Sequence, residues 1–185
     1  MKIASSTAIL ALLSLAITPL AAQAQLAPDS DAPVDIASDS FELTNSTCAT
    51  VWTGAAEALQ GTTRLRGDVL KTFQKVKTPG ATGSDAKCGE LERLEAQGSV
   101  YYVTPQQRAR GDNAVYVASS ETITMTGNVV VVQGQNVMKG ERFVINTRTG
   151  EASAQGTGKG RNSQGRVRAV FYPDQPAPQP QTPSR

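Results

Sequence analysis

Apolar and polar residues alternate with period two along most of this chain, and that period belongs to half-buried β-strands rather than helices. In Glu121-Thr-Ile-Thr-Met-Thr126, Ile123 and Met125 alternate with threonines. Val34-Asp-Ile36, Ser40-Phe-Glu-Leu-Thr44 and Ala49-Thr-Val-Trp-Thr53 behave in the same way, with Asn45-Ser46 as a turn between the last two. Val129 to Val132 is a continuous apolar run, for which bounding glycines and β-branched content decide in favour of strand. Glu90 to Glu95 could form a helical turn, but the following Gly98 and Val100-Tyr-Tyr-Val103 favour a strand with charged edges. In Ala114–Val117, Val115 and Val117 compete with Tyr116 for the inward face. Phe143 and Ile145 alternate with Val144 and Asn146 before a turn at Thr147–Gly150.

The alternation is organised in repeats. Gly54, Gly98 and Gly127 each open a stretch that reaches a basic-Gly-acidic triplet at one fixed interval: Arg66-Gly-Asp68, Arg110-Gly-Asp112 and Lys139-Gly-Glu141. Such periodicity marks stacked units, none of which can bury its apolar face alone. The expected fold class is therefore all-β, built of stacked antiparallel strands. The opening glycines are expected where one strand gives way to the next. The inner glycines, Gly67, Gly111 and Gly140, fit either a bulge at a sheet corner or room for a ligand. The flanking charges fit either a ladder of weak surface ion pairs or cations meeting anionic head groups at a groove rim. Arg-Gly-Asp occurs twice but on strands rather than loop tips, which speaks against an adhesion motif. Arg166–Tyr172 reads as a degraded copy of the second half of the repeat.

The ends differ from the middle. Lys2, the apolar run Ile9–Ile17 and Ala22-Gln-Ala24 compose a signal peptide over residues 1–24, and the mature chain is expected to start near Gln25. Residues 25–32 read as a flexible leader, 33–172 as one β-domain, and 173–185 as a disordered Pro/Gln-rich tail. Lys75 to Gly89 reads as an exposed loop. Export to an oxidising periplasm makes a disulfide between Cys48 and Cys88 plausible.

Composition then removes chemistries. There are no histidines, so histidine-based catalytic arrays and histidine metal sites are excluded. A net charge of +2 makes no case for nucleic acid. No acidic pair stands out for glycoside chemistry, no Gly-rich loop precedes a helix, and no cofactor or metal is expected. The chain reads as a non-enzyme. The competing readings are a structural or adhesive β-repeat protein and a β-helical polysaccharide-active enzyme.

The segment Glu121–Asn146, with Gly127-Asn-Val, Gln133-Gly134, Lys139-Gly-Glu141 and then Thr149-Gly150, resembles the OstA-like family. Val34–Ser40 resembles that family's opening strand and Arg166–Phe171 its close. The resemblance implies an open β-jellyroll with an apolar interior and a role in lipopolysaccharide transport from the inner-membrane Lpt complex to the outer-membrane translocon. The implied partners are lipopolysaccharide, an LptC-like inner-membrane protein, an LptD-like outer-membrane protein and further copies joined head-to-tail through edge strands. Alternation, together with equivalence between copies (Trp52 to Met125, Leu70 to Phe143), nominates Trp52, Ile123, Met125, Val129, Val131, Phe143 and Ile145 for the acyl-chain groove.

Overall fold

The computed structural model describes Leu26, residues 32–77 and residues 87–173. The signal peptide, all of the leader but Leu26 and Ala32, the centre of the 75–89 loop and nearly all of the tail therefore lie outside the described residues. Among the described residues ten strands follow one another: β1 (Val34–Ala37), β2 (Ser40–Thr44), β3 (Ala49–Gln60), β4 (Thr63–Val76), β5 (Cys88–Val103), β6 (Arg108–Val117), β7 (Thr122–Gln133), β8 (Asn136–Asn146), β9 (Ala152–Gln155) and β10 (Arg168–Val170). A single 3-10 turn, Asn45–Thr47, links β2 to β3. All pairings are antiparallel, in the order β1-β3-β4-β5-β6-β7-β8-β10, with β2 also on β3 and β9 also on β8.

The opening glycines do not separate strands, which corrects the expectation from sequence. Each lies inside one long strand, at a bulge where two residues oppose one on the next strand. Gly54-Ala55, Gly98-Ser99 and Gly127-Asn128 all have positive φ, and the register shifts at each of them. The bulges lie side by side and divide every long strand into two arms. At the sheet's edges the two arms take different partners. The early part of β3 pairs with β2 and its end with β1, while β8 pairs with β10 first and β9 later.

Gly67 and Gly111 make room for the neighbouring bulge, and Gly140 makes room for the Gln155 carbonyl. A Cβ on Gly111 would stand 3.2 Å from the Thr126 carbonyl oxygen, and one on Gly67 would stand 3.1 Å from that of Gln97. The acidic members of the first two triplets lie against the next bulge, Asp68 on Gly98 and Asp112 on Gly127, and Asp39 stands in the same relation to Gly54. The fixed interval in the sequence is thus the length of a hairpin arm. In all three copies the pair beyond the bulge, Ala56↔Gly67, Val100↔Gly111 and Val129↔Gly140, closes a hairpin of the same span.

A ladder of ion pairs within the triplets does not form. Arg66 reaches Glu57 at 3.3 Å, which Arg64 also contacts at 2.9 Å, and among the described residues Arg110 and Lys139 make no ion pair. Two further readings are revised and one open question is resolved. The exposed loop is shorter than Lys75–Gly89, because β4 runs to Val76 and β5 begins at Cys88. Ala114 and Tyr116 face inward, leaving Val115 and Val117 outward. Finally, β10 pairs with β8 through Val137–Lys139, the place that β5 and β7 fill in the earlier copies, so it stands where a first half would, not a second. Its sequence likeness to a triplet arm did not determine its neighbour.

Buried residues from both arms join in one core cluster. Leu65, Tyr102, Ala109 and Val131 come from one half-sheet, and Leu70, Leu94, Tyr116, Ile123, Met125 and Phe143 from the other. The sheet is therefore folded over along its line of bulges, with its apolar face inside. Cys48 and Cys88 form a disulfide across a Cα–Cα distance of 5.5 Å, joining the residue just before β3 to the start of β5.

Candidate ligand groove

The interior differs along its length because the side chains that line it differ in size. Toward β7 and β8 the inward positions carry large groups. Ile123, Met125, Val129, Val131, Phe143 and Ile145 are all buried in the core cluster and fill the space between the half-sheets. Toward β1 and β3 a cavity of about 410 Å³ remains, lined by Val34, Ile36, Thr50, Trp52, Thr72, Gln74, Glu90, Leu91, Leu94 and Leu26. Its volume falls within the roughly 300–1,000 Å³ typical of small-molecule sites. Of the seven nominated residues only Trp52 lines this cavity; the other six belong to the filled part of the same interior.

Next to the cavity wall, β2 presents apolar side chains. Phe41 and Leu43 on β2 are 62% and 54% exposed, and they pair in register with Trp52 and Thr50 of the cavity wall. The Phe41 and Trp52 rings stack with centroids 5.2 Å apart. Among the described residues the Trp52 Nε1–H has no hydrogen-bond acceptor, although it is buried. An orphaned donor of this kind costs about 1–3 kcal/mol.

Leu26 is the residue that sequence reasoning missed. It stands within the stretch expected to be a flexible leader, yet it is 1% exposed and belongs to the core cluster. Its N–H donates to the Gln60 Oε1 at 2.7 Å, and its carbonyl accepts from the Tyr102 hydroxyl at 3.3 Å. The Gln60 Nε2 in turn donates to the Ala32 carbonyl at 3.0 Å. The inward-facing polar groups Gln60 and Tyr102 are thereby satisfied by a peptide segment, as buried polar groups must be. Burial, reinforced by neighbouring Tyr116, pushes the Tyr102 phenol up to about 12. The sequence signal was slight: one leucine between Gln25 and Ala27. Ile36, also on the cavity wall, has the inward parity of its strand and could have been nominated by alternation, whereas Leu91 reaches the wall only because the register of β5 against β4 shifts between Leu91 and Arg93.

No group of three or more metal-ligating side chains gathers among the described residues. The cavity between the two half-sheets is lined by six apolar residues together with Thr50, Thr72, Gln74 and Glu90.

Residues 35–151 match the family model described as "LptA/(LptD N-terminal domain) LPS transport protein". The chain belongs to that family. The OstA-like resemblance and the all-β class expected from sequence are borne out. As a member of the LptA/LptD N-terminal family the chain is a lipopolysaccharide-transport protein, not an enzyme. It is similar to an uncharacterized protein of Rhizobium meliloti (strain 1021), with 29% identity over 129 residues covering 69% of this chain and 68% of that protein. Its fold is similar to the crystal structure of LptH from Pseudomonas aeruginosa, described as the LptA homologous periplasmic component of the conserved lipopolysaccharide transport device. That match has a TM-score of 0.62 and 22% identity, and it covers 78% of this chain and 99% of LptH. The jellyroll arrangement of this family is the fold-over described above. Among the described residues no helix is long and apolar enough to cross a membrane.

Proposed function

We propose that this chain is a periplasmic carrier that holds the acyl chains of lipopolysaccharide between its two half-sheets and bridges an LptC-like inner-membrane protein to an LptD-like outer-membrane protein. The observation that carries this reading is the cavity of about 410 Å³ bounded by Ile36, Trp52, Leu91 and Leu94, beside which Phe41 and Leu43 of β2 are exposed. Each methylene moved from water into such a space contributes about 0.8 kcal/mol, so an acyl chain has a strong preference for it. The nominated residues Ile123, Met125, Val129, Val131, Phe143 and Ile145 continue the apolar wall beyond the cavity, and side-chain rearrangement there would lengthen the path. Among the described residues the outer edges of β1, β2, β9 and β10 pair with no further strand, and β-augmentation there can join partner chains or further copies.

Photoreactive residues placed at Ile36, Trp52 and Leu91 should capture lipopolysaccharide in cells, while one at the outward-facing Thr124 should not. Equal capture at Thr124 would reject the groove as the path. Mass spectrometry of the purified protein supplies a second check, because a purely structural β-repeat protein carries no lipid.

A further inference from the structure

The outer faces of the two half-sheets differ in charge. Outside the half-sheet that contributes Leu65, Tyr102, Ala109 and Val131 to the core, called the second half-sheet below, cross-strand partners run in a row from Arg66 through Tyr101, Arg110, Val130 and Lys139 to Arg168. A parallel row runs from Arg64 through Val103, Arg108, Val132 and Val137 to Val170. At the usual spacing between strands the first row is about 24 Å long. Glu57 engages Arg64 and Arg66. Among the described residues Arg108, Arg110, Lys139 and Arg168 are exposed and have no carboxylate within ion-pair distance. On the outer face of the other half-sheet, Lys71 stands opposite Glu95, and the row continues through Val115, Thr124 and Val144.

Lys139 and Arg168 are direct partners in the ladder, an arrangement that like charges disfavour. An anion lying between them would relieve it. They border a cleft of about 340 Å³ that Arg110, Arg166 and Asn128 also line, with Glu141 as its one carboxylate. At the end of the rows Val170, Phe171 and Tyr172 are 52%, 70% and 57% exposed, and Tyr101 within the first row is 44% exposed. Cations interleaved with exposed aromatic and aliphatic groups match the layered chemistry of a bilayer surface, with phosphates outermost and the acyl boundary beneath.

We propose that the outer face of the second half-sheet docks onto an anionic phospholipid bilayer, with head-group phosphates seated in the cleft around Arg110, Lys139 and Arg168. The face is separate from the interior, so the docking does not depend on what the groove carries. It would hold the carrier flat on a membrane surface while its two ends are not engaged in bridging, with the other half-sheet facing the aqueous space.

Co-sedimentation of the protein with vesicles of phosphatidylcholine, with and without phosphatidylglycerol and free of lipopolysaccharide, tests this. Binding should require phosphatidylglycerol and fall steeply with salt. The triple substitution Arg110→Gln/Lys139→Gln/Arg168→Gln should weaken it on the order of 100-fold, given the usual contribution of each basic residue near an anionic surface. Lys71→Gln on the other face should leave it unchanged, and so should Met125→Asp if that variant folds, whatever it does to lipopolysaccharide carriage. Circular dichroism confirms folding; if the triple variant does not fold, Lys139→Gln alone should still weaken binding by about fivefold. Equal binding to neutral vesicles, or full binding by the folded triple variant, would overturn the proposal. So would displacement from vesicles by a dilute soluble sugar phosphate, because that would assign the cleft to glycan phosphates in solution instead.

Discussion

The carboxylate of Asp112 lies directly against Gly127, and its Oδ2 accepts a hydrogen bond at 3.0 Å from the side chain of Asn128, the second residue of the same bulge. Gly127 has a φ of +78°, and a Cβ there would lie 2.7 Å from the Asp112 Cβ. Two penalties therefore apply to Gly127→Ala: the left-handed backbone, about 1–2 kcal/mol, and the overlap with Asp112. Gly134, with a φ of +57° and open space around it, carries the first penalty alone. Urea unfolding should show Gly127→Ala losing more stability than Gly134→Ala. Adding Asp112→Ala should restore part of the difference. Equal losses at the two glycines would show that the Asp112 contact contributes nothing.

The Cys48–Cys88 disulfide closes a loop of 40 residues. Chain-entropy arguments give such a cross-link about 3–4 kcal/mol, through the unfolded state. Unfolding with and without dithiothreitol should differ by that order, and Cys48→Ser/Cys88→Ser should match the reduced protein. A reduced protein of unchanged stability would mean that the hairpin and β5 hold together without the bond.

Tyr102 links pH to stability. Its phenol is raised to about 12 by burial first and by Tyr116 second, against about 10 in an unfolded chain. The unfolded state therefore releases this proton earlier than the folded state does. The stabilisation is complete below pH 10 and is lost as pH rises toward 12, with a slope of up to about 1.4 kcal/mol per unit. Absorbance titration should show one tyrosine ionising late, and Tyr102→Phe should remove both that step and its share of the alkaline loss of stability. A Tyr102→Phe variant retaining the late step would assign it elsewhere.

Leu26 occupies apolar space that a ligand chain would otherwise use. Displacing a fully buried leucine costs about 1.5–3 kcal/mol. Leu26→Gly should accordingly raise the affinity of an apolar fluorescent dye by about tenfold or more. Trp52, the one tryptophan of the chain and part of the same cavity wall, provides the readout through its emission. Dye affinity equal to that of the parent protein would show that Leu26 does not compete for the cavity.

The sequence by itself determined the all-β class, the repeat and the inward parity of Ile123, Met125, Phe143 and Ile145. Each follows from local period, and a slip of one residue would turn an entire strand inside out. It also singled out Gly54, Gly98 and Gly127, because positive φ has few other hosts. Only the tertiary structure decided that these glycines bend continuous strands, that Asp112 serves Gly127 instead of pairing with Arg110, and that Tyr116 outranks Val115 for the interior. Those outcomes depend on which strand lies alongside, which period does not encode. The open part of the groove was hidden for the same reason. A cavity is space left between the small and large side chains of β1, β3, β4 and β5 once the sheet folds over, and Leu26 reaches it from a stretch whose sequence carries no strand signal at all. The exposed cations likewise became a single face only when Arg110, Lys139 and Arg168, far apart in the chain, came into register.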